Sequence, residues 1–531
     1  MTSRRVFLAG AAVMGGISPT LALGRRTDTP TIVETSLGKI VGAAHDGIQV
    51  YKGVPYGADT RARRFLPPVS APGWSGVRQT TGFGPRAPQP NSPGGGGFVP
   101  RRDEEPVSED CLKLNIWTPD ASRRRKRPVL VWLHGGGFIN YSANSDMYDG
   151  TNLARKGDVV VVSLNHRLNL FGYLYLGTFD PAYGSSGNVG MLDIVLALEW
   201  VRDNIAAFGG DPGNVTIFGQ SGGGAKCCTL MAMPAARGLF HRVWTMSGQQ
   251  ATGTPRDMAT RNAEVVLRNA GLARGDVDGL RKLSMEQLIA ASRGVYYGPV
   301  VDGAALPRDP FEPDATLSRE IPLVMGNTRE ETTTLIGAGD PETFALSWEQ
   351  LPGKIERHLK SYLGAQKPET VVALWRKLYP DYSPSDIFFA ASSVIRSWRA
   401  QLLVASRRAA EPIAATRTWV YQWDWPSPVA GGKWRAPHIL DIPFVFDNVA
   451  IASAITGGGA EAHALAARVS DSLLAFARTG DPNTAALPRW PTYSLARRET
   501  MLFDRVSRIA NDPRGAERRF IDTIPYRQPG T

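Results

Sequence analysis

Residues 216–224, Thr-Ile-Phe-Gly-Gln-Ser-Gly-Gly-Gly, join a β-branched and aromatic run to a serine with glycines two positions away on either side, then to a helix start. A serine can sit on such a corner only where strand and helix approach closely, which neighbours without bulk permit. The turn lifts Ser221 clear of the strand end, with the first amides of the helix beside it to receive a developing negative charge. A strand that feeds directly into a helix is also the repeating unit of a sheet covered by helices. In a chain with 56 glycines this five-residue pattern does not stand by itself, so its surroundings decide.

Those surroundings alternate strands and helices. Val129 to Leu133 and Val159 to Leu164 are continuous apolar runs, the mark of strands buried on both faces. Between Asp193 and Phe208, Ile194, Leu198, Val201 and Ile205 recur at helical spacing. The Gly209 to Gly213 segment reads as a turn, followed by a strand over Val215 to Phe218. Further strands are expected at Val243 to Met246, Leu323 to Met325 and Trp419 to Trp423. The fold class is therefore α/β: a mostly parallel central sheet with helices on both faces. At 531 residues the chain exceeds the roughly 250–300 at which a single core usually stops growing. With no repeat and no clean linker, one domain with helical insertions is preferred, residues 345–410 being such an insertion. Pro85 to Pro100, with four successive glycines, reads as a mobile loop.

Upstream of the serine stands Trp132-Leu133-His134-Gly135-Gly136-Gly137-Phe138, at the end of a buried strand. Three glycines free the backbone N–H groups to point into a pocket that side chains would otherwise block. Gly136 and Gly137 would then donate from this loop and Gly222 from the helix start, together forming an oxyanion hole. A serine hydroxyl needs a base, and the base an orienting acid. Three histidines lie well beyond Ser221. His358 falls in a charged helical stretch and reads as a surface residue, and His463 lies in an Ala-rich helix. His438 follows the last strong strand in a Gly- and Pro-containing loop, where the base belongs. For the acid, Glu330 and Glu331 directly follow the buried strand Leu323 to Met325, at the strand end where function sits in open sheets. Neighbouring side chains diverge, so only one can face an imidazole, and composition does not choose between them. Asp302 is their rival, with an ordinary turn aspartate as its plain reading.

The formal charge of +11 is scattered. Its densest run, Arg123 to Arg127, has no aromatic interleaving and reads as a solvated loop before a buried strand rather than a nucleic-acid patch. At the N-terminus, Arg4-Arg5 precedes an apolar stretch from Val6 to Ile17, with Ala22-Leu23-Gly24 as the cleavage site. The stretch is too short to cross a bilayer core of ~30 Å as a helix. It fits a twin-arginine export signal over residues 1–24, with residues 25–531 as the mature domain, periplasmic or secreted and without a membrane span. Three cysteines, Cys111, Cys227 and Cys228, exclude a disulfide framework, and no His or Cys spacing supports a metal site.

These segments together resemble the type-B carboxylesterase and cholinesterase-like family of α/β-hydrolases. The resemblance covers most of the chain. It is carried by Tyr51 to Tyr56, Glu109 to Leu112, the His134 to Phe138 loop, Asn165 to Leu168, Gly187 to Asp193 and Asn204 to Pro212, as well as the serine corner. It implies an α/β-hydrolase fold and hydrolysis of carboxylic esters by Ser221, His438 and Glu331, with no cofactor. The family's strand-end glycine maps to Gly326, which selects Glu331 and puts Glu330 in the neighbouring acidic place. The resemblance also sets Phe138, Gln220 and Ser247 against the substrate. The expected partner is a small-molecule ester, with no nucleic acid, and the expected state is a monomer or weak homodimer. Four positions depart from the family pattern. Gln220 replaces a glutamate, which argues against cationic choline esters; Gly222 replaces an alanine; Thr332 replaces a glycine. Ala87 stands where the family's partner for Cys111 would be, so Cys111 is expected unpaired. The same machinery would also suit amides, carbamates or lactones, and a binding module is the reading from another class.

Overall fold

The computed structural model describes residues 29–90 and 105–528. The expected leader and most of the Pro85 to Pro100 loop lie outside the described residues. Among the described residues, eleven strands form one sheet. In chain order they are β1 (Ala43–His45), β2 (Ile48–Pro55), β3 (Lys113–Thr118), β4 (Arg127–Leu133), β5 (Val160–Leu164), β6 (Gly210–Gln220), β7 (Arg242–Met246), β8 (Leu323–Thr328), β9 (Thr418–Trp423), β10 (Glu499–Phe503) and β11 (Arg508–Asn511). Across the sheet the order is β11-β10-β9-β8-β7-β6-β4-β5-β3-β2-β1. From β5 to β10 every neighbouring pair is parallel, and the edges are antiparallel.

The six strands expected from apolar runs are all present in the parallel block. In β4, Val129, Val131 and Leu133 join one hydrophobic cluster while Leu130 and Trp132 join another, as alternation across a strand buried on both faces requires. Burying each such side chain contributes roughly 1.5–3 kcal/mol. The helix expected over 193–208 is α1 (Val189–Asn204), continued by a tighter turn at Ile205–Phe208. One expectation is corrected: Gly210 to Gly213 is not a free turn but the start of β6. There Arg127 pairs with Gly210 before the register shifts, so an irregular extension of the strand absorbs the Asp-Pro-Gly segment.

Ser221 begins helix α2 (Gly222–Leu230). The region expected as a helical insertion contains α3 (Leu351–Leu359), α4 (Pro368–Leu378), α5 (Pro384–Ser392) and α6 (Arg399–Ala410). It has a hydrophobic cluster of its own, including Leu351, Ile355, Trp375, Phe388 and Trp398, separate from the two clusters on the sheet. The long helix α7 (Ala460–Thr479) packs on the second sheet cluster through Leu465, Val469 and Leu473. All three cysteines are buried and free. Burial pushes the thiol of Cys228 up to about 12 and raises those of Cys111 and Cys227 as well, which leaves them inert. Among the described residues no helix is long and apolar enough to cross a membrane.

Candidate active site

Register brings the candidate residues together before any side chain is considered. Leu133 at the end of β4 pairs with Gly219 of β6, so the glycine loop starts beside the serine corner. Gln220 pairs with Met246 of β7, and Met246 with Gly326 of β8, which brings Ser247 and the segment after Gly326 alongside. Thr328 pairs with Trp423, the last residue of β9, and His438 lies in the segment beyond. The glycine loop, Ser221, Ser247 and Glu331 thus lie at or just beyond the C-terminal ends of strands in the parallel block, with His438 in the longer segment that follows β9, where an open sheet presents its functional groups.

Ser221 is 8% exposed and has φ 57° and ψ −127°, a conformation that costs of the order of 1–3 kcal/mol and is held by its surroundings. Its N–H donates to the Met246 carbonyl at 2.8 Å and its own carbonyl accepts from Ala225 at 3.0 Å, which ties the corner to β7 and α2. Gly136 and Gly137 have φ 82° and 61°, the left-handed region that glycine adopts without cost. The carbonyl of Gly136 accepts from Ile139 and Asn140 at 3.2 and 3.1 Å. A planar peptide points its N–H opposite its C=O, so this fixes the direction of the Gly137 N–H. In the same way His134 Nδ1–H, donating to the Gly135 carbonyl at 2.9 Å, fixes that of Gly136. The N–H groups of Gly136, Gly137 and Gly222 have no hydrogen-bond partner among the described residues. A Cβ on Gly222 would collide with the Gly137 carbonyl, so the departure from alanine lets the loop lie against the helix start.

The acid and base meet in a dry site. Glu331 is fully buried, and its carboxylate bonds His438 Nδ1. It also accepts from Ser247 Oγ at 2.6 Å, from Asn327 Nδ2 at 3.1 Å and from the Thr328 N–H at 2.9 Å. Burial alone would raise its pKa, but the His438 ring and these donors overcome it and hold the carboxyl below its ordinary value. Glu330 points elsewhere, to the Ala436 N–H at 3.2 Å and Arg329 at 3.3 Å. Burial raises its pKa against the pull of Arg329. On the far side of the imidazole, Nε2 faces the Gln220 side-chain nitrogen at 3.1 Å. With the proton on Nδ1 the ring satisfies both contacts, donating to Glu331 and accepting from Gln220. The ring makes no hydrogen bond with Ser221 in this state, as is common before substrate arrives.

The remaining candidates separate cleanly. Asp302 accepts from Asn188 and from the N–H groups of Ala304 and Leu306, so it is the turn aspartate of its plain reading. His463 is exposed on α7. His358 is partly buried rather than a surface residue, bonded to Asp340 at 2.8 Å and packed on Phe388. The ring of Phe138 is 1% exposed and stands edge-on to Tyr173. Ser247 binds the Glu331 carboxylate. Thr332 replaces the expected glycine with a hydroxyl bonded to Ser392 at 2.6 Å and Ser393 at 3.0 Å, which fastens the acid turn to the inserted helices.

Three groups at the site carry no clear mark in the sequence. Asn327 was visible only as a polar residue ending a buried strand. Asp441, three residues after His438, is fully buried and accepts from Tyr421 at 2.7 Å. Burial pushes its pKa up to about 7, with the nearby Glu331 charge adding to the rise. Lys226 is fully buried on α2, with Nζ donating to the carbonyls of Gly137 at 2.8 Å and His134 at 3.1 Å. Its signal was a lysine inside the small and apolar run Gly-Gly-Gly-Ala-Lys-Cys-Cys. Beside it, His134 and His166 stack at 4.9 Å. Burial, with the Lys226 charge, lowers His134 to about 3 and holds His166 well below its ordinary value, so both rings are neutral.

The chain is similar over nearly its whole length to known proteins. The carboxylesterase family model matches residues 29–521. Para-nitrobenzyl esterase of Bacillus subtilis is 35% identical over 511 residues, 92% of this chain and 98% of that protein. Phenmedipham hydrolase of Pseudarthrobacter oxydans is 34% identical over 501 residues, 88% of this chain and 93% of that protein. A carboxylesterase of Geobacillus stearothermophilus, solved at pH 6.2, superposes with a TM-score of 0.80 at 38% identity, covering 92% of this chain and 99% of that one.

Proposed function

The chain belongs to the carboxylesterase family and is a carboxylic ester hydrolase of the serine class, and from that premise we propose how its residues divide the work. Ser221 attacks the ester carbonyl while His438 Nε2 takes the serine proton and passes it to the departing alcohol. Glu331 holds the imidazole in the Nδ1–H tautomer and balances its charge once it is protonated. The N–H groups of Gly136, Gly137 and Gly222 receive the oxyanion. Water, activated in turn by His438, then releases the acid from the acyl-serine.

The observation that carries this reading is the buried contact from Glu331 to His438 beside a strained serine flanked by unpartnered glycine amides. Gln220 holds the Nε2 lone pair at rest and has to yield it as the serine proton moves. It brings no carboxylate to the pocket. With the formal charge of +11, that favours neutral or anionic esters over cationic choline esters.

Ser221→Ala is expected to abolish turnover of a p-nitrophenyl ester and labelling by an organophosphonate. Turnover that survives the substitution sinks the assignment, and a wild-type chain that the phosphonate leaves unlabelled is a binding module. Residues 1–24 serve as a twin-arginine leader in this reading, supported by the Arg4-Arg5 pair before a short apolar stretch. Changing both arginines to lysine is expected to keep the precursor in the cytoplasm; export that continues undiminished refutes the leader.

A further inference from the structure

The run Gly135-Gly136-Gly137 carries two of the three oxyanion donors and has no side chain of its own by which to be held. Lys226 reaches it from α2. Its Nζ bonds the His134 carbonyl, where the run begins, and the Gly137 carbonyl, where it ends. The third donor, Gly222, lies four residues before Lys226 and therefore on the same face of the helix. That residue lacks the Cβ that would push the Gly137 carbonyl away, and one turn later the ammonium grips the same oxygen. One helix thus carries a donor of its own and the anchor for the other two. We propose that Lys226 is a positioning residue for the oxyanion hole, holding the glycine loop at both ends and in register with the Gly222 N–H. The proposal rests on the reading of Gly136, Gly137 and Gly222 given above.

Packing alone is a poor reason for this lysine. Its site is dry, its partners are peptide carbonyls and the ring of Phe138 at 5.3 Å, and no carboxylate among the described residues pairs with it. An ammonium buried without an opposite charge destabilises a fold, which a side chain of similar length and no charge would avoid. Burial pushes its pKa down to about 7, in keeping with that cost. A group retained against stability beside reacting atoms is the usual sign of a site that trades stability for function.

The test compares Lys226→Met and Lys226→Gln with the wild type. Each is assayed for kcat and KM on a p-nitrophenyl ester, for melting temperature, and for inhibition by an aryl trifluoromethyl ketone. That ketone forms a bond from its carbonyl carbon to Ser221 Oγ. The serine proton passes to His438, and the carbonyl electron pair becomes an oxyanion in the hole. Loss of one oxyanion donor costs about 10²–10³ in rate, so displacing donors without removing them is expected to lower kcat roughly 10- to 100-fold. KM should stay within about threefold and ketone affinity should fall in proportion to kcat. Lys226→Met should melt no lower than wild type. Should it fail to fold, Lys226→Gln, too short to reach both carbonyls, carries the same expectation. Wild-type kcat and ketone affinity in either folded variant overturn the proposal, as does a loss confined to KM or to melting temperature. Failure of the wild type itself to turn over ester or take up phosphonate would instead remove the Ser221 reading.

Discussion

At the scale of single residues, two adjacent glutamates separate into different jobs. Glu331 enters a helical turn with φ −40° and ψ −41°, which swings its carboxylate under His438, while Glu330 turns to Arg329 and the Ala436 N–H. Composition could not choose between them because the partners that separate them, His438 and Ala436, come from a loop about a hundred residues further along the chain. Glu331→Gln is expected to lower kcat roughly 10³–10⁴-fold with KM little changed, because the amide no longer enforces the tautomer or balances the imidazolium. Glu330→Gln is expected to stay within about tenfold of wild type; a steady-state comparison in which Glu330→Gln is the more damaging reverses the assignment. Ser221 and His438 were legible from their local context. Asp441 was not, since its partner Tyr421 is brought in from β9, and Asn327 was not, since nothing in the local pattern marks it although its partner Glu331 is only four residues on.

At the scale of elements, the decisive contact is between the loop after β4 and the N-terminus of α2. The family pattern has an alanine at position 222, yet here a methyl group would strike the Gly137 carbonyl that Lys226 holds. Gly222→Ala is therefore expected to lower kcat by roughly 10- to 100-fold while KM and melting temperature stay near wild type. Unchanged kcat would mean that the loop adjusts freely. Six of the seven buried parallel strands were legible because both faces are apolar, as in β4 and β5; β10, which opens on Glu499-Thr500, was not. The antiparallel edges were not. β1 is three residues long and β11 is Arg-Ile-Ala-Asn with no buried position, so neither offers a pattern to read. The Asp-Pro-Gly at the start of β6 carries a turn's chemistry inside a strand, and only the pairing with Arg127 reveals it.

At the scale of the whole molecule, the helices inserted between β8 and β9 have their own hydrophobic cluster, yet Thr332 bonds Ser392 and Ser393 and so ties the acid turn to them. The sheet can therefore keep its chemistry while the insertion varies around the pocket, which is why the reaction was readable in the sequence and the shape of the ester was not. The three thiols lead to a different kind of consequence. Nothing in the described fold is closed by a sulfur–sulfur bond, and each thiol is buried, with its acidity suppressed. Reductants find no bond to break and mild oxidants no thiolate to attack. The same folded molecule is compatible with a reducing cytosol, where it can finish folding before any journey outward, and with the oxidising surroundings it would meet beyond.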